Sequence, residues 1–318
     1  MTSSKNAFVS TWNAFCSCIS ECAERDGNIA ILGSKKIIED SSTFLSVAED
    51  KIFIPQSGEE NIILNAAGLA LAGKIPWILT YLGETVVNKY NQIRSALAQS
   101  SLPVRIAVSD GGLSRGERGF SCVTLEDIAL MRTIPTMHIF VPSDSKSARG
   151  ITEASFNIHA PMYIRLGQTP VPVFDDEVEN SFVSGGARLI SSGTGVTICA
   201  CGIMVAEALK ASSILEQQGI SAEIIDCYSI KPLPEQILLA SVRRTGCCVT
   251  AEEHSSVGGL GSSVAECLAR TYPVPVRFVA VEDQIVNSGL PGELREYYGL
   301  TWKEIVNAAA QVWALRRR

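Results

Sequence analysis

Few residues in this chain have the types and spacing to do chemistry, and most of them stand apart from one another. Its three histidines, His138, His159 and His254, have no obvious partner nearby in sequence. Two adjacent carboxyls, Glu59 and Glu60, follow Ser57-Gly58 and open a helical run. That order fits a capping box, with Ser57 as N-cap and Glu60 reaching back to the backbone. Cys122 lies four residues after Arg118, a cation that would favour a thiolate; a small buried filler is the commoner role for such a thiol. The glycine-rich run 256–261 could cradle a phosphate, but it reads better as a turn before a helix.

Ten cysteines, many inside apolar strand-like runs, read as buried thiols in a chain too long to be a disulfide scaffold. Cys16, Cys18 and Cys22 sit in a helical pattern that points positions 16 and 18 to different faces, with no histidine to complete a metal site. The charge is acidic: 27 Lys+Arg against 33 Asp+Glu, for a net −6, with the only dense basic run at Arg316–Arg318. That balance argues against nucleic acid as a partner. No apolar stretch reaches the ~18 residues of a membrane span. The opening MTSSKNAFVSTWNAF lacks the continuous apolar core of a secretory leader, so a cytoplasmic protein is expected.

With 318 residues, 46% hydrophobic, the chain has ample material for one large or two medium domains. Apolar runs of strand length alternate with amphipathic helical ones. Strands are expected over 28–32, 75–81, 104–108, 138–141 and 162–166. Helices are expected over 59–72 (closed by Gly73), 86–98, 125–132 and 145–157. Between 168 and 187 the rhythm breaks into prolines, an acidic cluster and Gly-Gly. It resumes with strands over 195–201, 222–226, 247–251 and 276–281, and helices over 204–218, 235–242, 262–271 and 301–316. Buried parallel strands with crossover helices produce this pattern. The reading is an α/β protein: a first domain over 1–167, a linker over 168–187 and a second domain over 188–318, each a mainly parallel sheet flanked by helices.

The stretches GEENIILNAAGLALAGKIPW (58–77), NQIRSAL (91–97), GGLSRGERG (111–119), TLEDIALMRTIPTMHIFVPSD (124–144), YIRLGQTPVPV (163–173) and AEEHSSVGGLGSSVAE (251–266) have a shared likeness. Together they resemble the transketolase family of thiamine-diphosphate enzymes. The resemblance is to the pyrimidine-binding domain plus the C-terminal domain, as in the small subunit of split transketolases. It covers most of the chain from about residue 53 onward. The run LEDIALMRTIP is of transketolase type rather than that of 2-oxoacid dehydrogenase E1 β-subunits. In this family a second domain grips the cofactor's diphosphate through Mg²⁺ and a Gly-Asp-Gly motif, which this chain lacks. The resemblance therefore implies a pyrophosphate-binding partner subunit, in an α2β2 assembly.

It also implies roles for named residues. Glu59 falls on the family's indispensable glutamate, which hydrogen-bonds the cofactor's pyrimidine nitrogen. A carboxyl in an apolar, ligand-covered slot is suited to sharing a proton near neutrality. Tyr81 matches one of the aromatics that stack on the pyrimidine; Glu84 stands where a second belongs and cannot stack. In the substrate channel Asp110 replaces a histidine, Arg118 an aspartate that reads a sugar hydroxyl, and Cys122 a second histidine. Gln168 replaces an arginine that clasps the acceptor's phosphate. Arg118 would either anchor a carboxylate or pair internally with Asp110. Losing two donors and gaining an anion disfavours a phosphate dianion, since like charges a few ångströms apart repel by about 4 kcal/mol at an effective dielectric near 20. The expectation is two-carbon ketol transfer to a non-phosphorylated or carrier-bound acceptor. Two alternatives are a non-catalytic scaffold subunit and a 2-oxoacid dehydrogenase E1 β-like subunit.

Overall fold

In the computed structural model the described residues are 8–56, 59–174 and 181–316, without the side chains of Glu59 and of residues 82–86. Two sheets organise them. The first, seven-stranded, contains β1 (Ile29–Leu32), β2 (Ile52–Phe53), β3 (Ile75–Tyr81), β4 (Arg105–Ser109), β5 (His138–Phe140), β6 (Met162–Arg165) and β10 (Ser229–Lys231). The second, five-stranded, contains β7 (Arg188–Ser191), β8 (Val196–Ala200), β9 (Ala222–Asp226), β11 (Cys248–Ser255) and β12 (Val276–Val281). Their orders are β10-β5-β6-β4-β3-β1-β2 and β12-β11-β8-β9-β7, so β10 leaves the second half of the chain to join the first sheet. All pairings are parallel except those of β10 with β5 and of β7 with β9. This is the expected α/β architecture of two mainly parallel sheets. The short strands β2 and β10 give no sequence signal, since two or three residues show no period.

Helices cover both faces of each sheet. In the first half these are α1 (Thr11–Arg25), α2 (Lys35–Ser41), α3 (Ile62–Leu71), α4 (Leu82–Gln92), α5 (Asp127–Thr133) and α6 (Ser145–Ala154). In the second half they are α7 (Met204–Gln217), α8 (Glu235–Thr245), α9 (Leu260–Thr271), α10 (Pro291–Tyr297) and α11 (Trp302–Leu315). Strand β3 shows how the pleat divides the core. Trp77, Leu79 and Tyr81 pack with Trp12 and Phe15 of α1 on one face, whereas Ile78 packs with Ile62, Ile63 and Ala66 of α3 on the other. The α3 side of the first sheet also shares its apolar cluster with Cys199, Cys248, Leu260 and Val264 of the second half, so the two sheets are joined by a common core. Among the described residues no helix is long and apolar enough to cross a membrane.

Local signals explain the helix ends that matter for the site. Helix α3 begins at Ile62 behind a 3-10 turn over Glu59–Asn61, three residues later than expected. The expected N-cap, Ser57, lies outside the described residues. Its C-terminus does close at Gly73, whose φ of +82° is the left-handed conformation that glycine adopts freely. Helix α6 has a capping box: Asp144 accepts from the Ser147 amide (2.8 Å), and Ser147 Oγ accepts from the Asp144 amide (3.0 Å). All ten cysteines are free thiols, eight of them buried. Cys16 packs in the core, while Cys18 donates to the carbonyl of Arg149 in α6 (3.8 Å).

Buried charge fastens the two halves. Arg188, 1% exposed on β7, donates to Asp226 Oδ2 through Nε and Nη2 (2.9 and 2.8 Å), to Asp144 Oδ2 through Nη1 (3.2 Å) and to Ser143 Oγ (2.8 Å). Burial outweighs the arginine and raises Asp226 from the usual 3.8 to about 6. Between roughly pH 4 and 6 the folded chain therefore binds more protons than the unfolded one, so this carboxyl makes stability fall as pH rises through that window. Urea midpoints measured at pH 4, 5, 6 and 7 are expected to lose this downward component in Asp226→Asn; an unchanged pH profile would refute it.

Candidate functional site

Because β1, β2, β3, β4 and β6 are parallel, their C-terminal ends lie along one edge of the first sheet, where ligands of open α/β sheets bind. The segment leading from β2 to α3 carries Glu59, in the 3-10 turn that precedes the helix. Its side chain lies outside the described residues. Tyr81 ends β3, and Glu84 follows in the first turn of α4, its side chain also outside the described residues. Asp110 follows β4, and Gln168, exposed, follows β6 by two residues beyond Leu166.

Tyr81 is 5% exposed. Its hydroxyl donates to Asp40, which also accepts from Lys36 Nζ (2.9 Å). Burial first, and then the Asp40 carboxylate, push the phenol well above its ordinary pKa; the hydrogen bonds from Tyr81 and Lys36 hold Asp40 low. Directly over the ring, 3.6 Å from its centroid, lies the guanidinium of Arg115. Arg115 Nε in turn donates to Asp110 Oδ2 (2.5 Å). Asp110 has a φ of +60°, a left-handed bend that turns the loop back toward the strand end. The internal partner of Asp110 is therefore Arg115. Arg118, for which that pairing is one of the two expected roles, is exposed in the next turn (Gly116–Arg118), and Cys122 ends the turn Phe120–Cys122, half-buried.

The loop carrying these residues rests on the seam between the two sheets. Arg165 is buried; its Nε lies 3.0 Å from Asp127 Oδ2, and its Nη1 donates to the backbone carbonyl of Glu253 on β11 (2.8 Å). Tyr163 donates to the same Asp127 oxygen (2.7 Å). Arg165 thus serves the interface. His254 does likewise: fully buried, its Nε2 accepts from the amide of Ala129 in α5 (3.4 Å), and its Nδ1 lies 2.8 Å from the Ser255 carbonyl. Burial raises the pKa of Glu253, whose side chain lies against Gly112. The glycine-rich run before α9 is already filled: the Glu252 carboxylate accepts from the amides of Leu260 and Gly261 (2.7 Å each). It is a turn before a helix.

Sequence reasoning missed Asp40, Arg115 and Glu253 as members of this constellation. The run GGLSRGERG offers two arginines, and spacing within a loop does not say which of them folds back. The two glycines were the available signal. A Cβ on Gly111 would stand 2.7 Å from Arg165 Nε, and one on Gly112 would overlap the Glu253 carboxylate.

Comparison with known proteins agrees with this architecture. Residues 38–172 match the transketolase pyrimidine binding domain, and residues 185–305 the transketolase C-terminal domain. Over 254 residues the chain is 41% identical to the 6-deoxy-6-sulfo-D-fructose transketolase subunit of Clostridium sp. (strain MSTE9), covering 80% of this chain and 79% of that one. It is 34% identical over 253 residues to one of the subunits of the apulose-4-phosphate transketolase of Phocaeicola vulgatus, covering 80% and 81%. A solved split-gene transketolase, described as an inactive β4 tetramer, superposes with a TM-score of 0.88 at 36% identity, covering 97% of this chain and 100% of that one. The chain belongs to the transketolase family.

Gly112 and Gly73 allow the loop's fit to be tested. Both have left-handed backbones, but Gly73 has open space where a Cβ would go and Gly112 has Glu253. Gly73→Ala is expected to cost about 1 kcal/mol, from backbone strain alone. Gly112→Ala adds a clash with a buried carboxylate and is expected to cost at least about 1–2 kcal/mol more. Equal losses in urea unfolding would show that the Gly112–Glu253 contact does not constrain the loop.

Proposed function

We propose that this chain is one half of a two-subunit enzyme that transfers a two-carbon ketol unit. In this reading it holds the aminopyrimidine end of thiamine diphosphate, and a pyrophosphate-binding subunit holds Mg²⁺ and the diphosphate. The observation that carries the reading is the shared sheet edge: Tyr81, Asp110 and the turn bearing Glu59 lie along it in a chain 41% identical to a transketolase subunit. The residues there fit the cofactor's ring end: a phenol and a guanidinium stack at the end of β3, on the sheet edge from which the segment carrying Glu59 departs after β2. The division into 1–167, 168–187 and 188–318, and an α2β2 assembly, belong to the same proposal. The β4 relative, described as inactive, supports the view that such chains need a second kind of subunit to work.

When bound, thiamine diphosphate supplies an electron sink for the carbanion left by carbon–carbon cleavage. Glu59 holds a proton at the pyrimidine nitrogen, where a carboxyl group enclosed by ligand and partner is poised to share it. Tyr81 supports the ring end, and Glu84 contributes no stacking. Asp110, Arg118, Cys122 and Gln168 line the approach of the acceptor. Asp110 is neutralised by Arg115, so the added anion drops out and the case against a phosphorylated acceptor rests on the two lost donors, at 110 and 168. The acceptor is therefore non-phosphorylated or carrier-bound, with a preference of about tenfold or more, the worth of the lost charged hydrogen bonds.

In the assembled complex, Glu59→Gln is expected to lower kcat by at least about 100-fold while leaving the melting temperature unchanged. Activity within a few-fold of wild type would refute the role of Glu59. Absence of thiamine-diphosphate binding in calorimetry on the complex would favour a scaffold subunit instead. Comparing kcat/KM for an aldose and its phosphate ester tests the acceptor: a preference for the ester would overturn that part.

A further inference from the structure

We propose that the guanidinium of Arg115, rather than the ring of Tyr81, is the flat surface on which the cofactor's aminopyrimidine stacks; the proposal rests on the reading of the site given above. Tyr81 as it stands has no open face. One side packs into the core with Leu79 and Trp77, the other lies under Arg115, and only 5% of the residue is exposed. Its hydroxyl is engaged by Asp40, which holds the ring in the plane that receives the guanidinium. A pyrimidine arriving at this edge therefore meets the arginine first.

The guanidinium is chemically suited to that place. It is planar, delocalised and weakly hydrated, and it stacks on aromatic faces. Two contacts keep it flat: the phenyl ring beneath, 3.6 Å from its central carbon, and the Asp110 carboxylate at its Nε. The left-handed bend at Asp110 brings that carboxylate to the strand end. The side chain of Arg115 stays 17% exposed, so part of it remains accessible at the edge where Tyr81 is covered. Pairing with Asp110 leaves the unit without net charge, so it does not oppose a proton shared between Glu59 and the ring nitrogen. At Glu84 this chain carries a carboxyl group that offers no plane; Arg115 supplies one from a different loop.

The test is thiamine-diphosphate affinity, measured by calorimetry on the complex with its pyrophosphate-binding subunit, with circular dichroism of the bound cofactor as a second readout. Arg115→Lys keeps the charge and loses the plane; Arg115→Ala loses both; Arg115→Phe restores a plane without charge. Lys and Ala are expected to weaken binding roughly tenfold or more and to alter the cofactor's dichroic band, and Phe to stay within about threefold of wild type. Asp110→Asn, which loosens the guanidinium without removing it, is expected to weaken binding by about threefold. Unchanged or tighter binding by Arg115→Ala, in a complex whose wild type binds, would overturn the proposal and make the arginine a plug that the cofactor displaces. Tight binding by Arg115→Lys would overturn it as well, since charge alone would then suffice. A wild-type complex that binds no thiamine diphosphate would instead refute the functional reading beneath it.

Discussion

Two arginines buried at the seam between the sheets set the geometry of everything at the sheet edge. Arg165 bridges Asp127 of α5 and the backbone of Glu253 on β11, and Arg188 bridges Asp144 at the start of α6 and Asp226 at the end of β9. Apolar contact between the sheets is extensive but not directional, and would tolerate sliding of one half against the other. A buried guanidinium would not, because losing a partner leaves a charge unpaired in a poorly solvating interior, at a cost of about 3–5 kcal/mol. The pairs thus contribute a unique docking angle more than net stability. The raised pKa of Asp226 shows the same balance from the side of the carboxyl group: burial outweighs even its arginine and serine hydrogen bonds.

From the seam the constraint passes to the loop after β4 through two glycines. Gly111 lies against the shaft of Arg165, and Gly112 against the carboxyl of Glu253; neither place has room for a side chain. With those two residues pressed onto the seam, the preceding residue takes the left-handed bend, and Asp110 reaches Arg115 five residues on. Arg115 then covers Tyr81, and Tyr81 fixes Asp40 beyond β1. One chain of contacts runs from the second sheet, through the seam, to the tip of the first. A change in how the halves dock would be felt at the tyrosine.

The parts of this arrangement that repeat were legible in the sequence, and the parts that occur once were not. Strands such as 75–81 and 196–200 are buried on both faces and read as continuous apolar runs, and the closing glycine of α3 has a required conformation, so fold class and most elements could be read directly. Strand β10 could not: three residues between Tyr228 and Pro232 join the far sheet by antiparallel pairing to β5, a contact defined only in space. Choosing between Arg115 and Arg118 likewise depends on a backbone bend rather than a period. Family resemblance singles out Tyr81 and Asp110 as candidates, but their connection through Arg115 is defined only in space.

The glycine-rich turn before α9 shows why the division of labour between two chains is chemically reasonable. A helix N-terminus with free amides is a ready anion site, and this turn has the composition for one. Here the amides of Leu260 and Gly261 are taken by the carboxylate of Glu252, and a Cβ at Gly259 would overlap that same carboxylate. Glu252 neighbours His254, which accepts from α5, so the turn belongs to the same seam as Arg165 and cannot be opened without loosening the docking of the sheets. A diphosphate would have to displace an internal anion bound by two short hydrogen bonds, and the cation at that turn, Arg132, is already engaged by the carbonyls of Gly258 and Gly259 and by Glu266. In the proposed assembly the grip on a diphosphate therefore falls to another polypeptide.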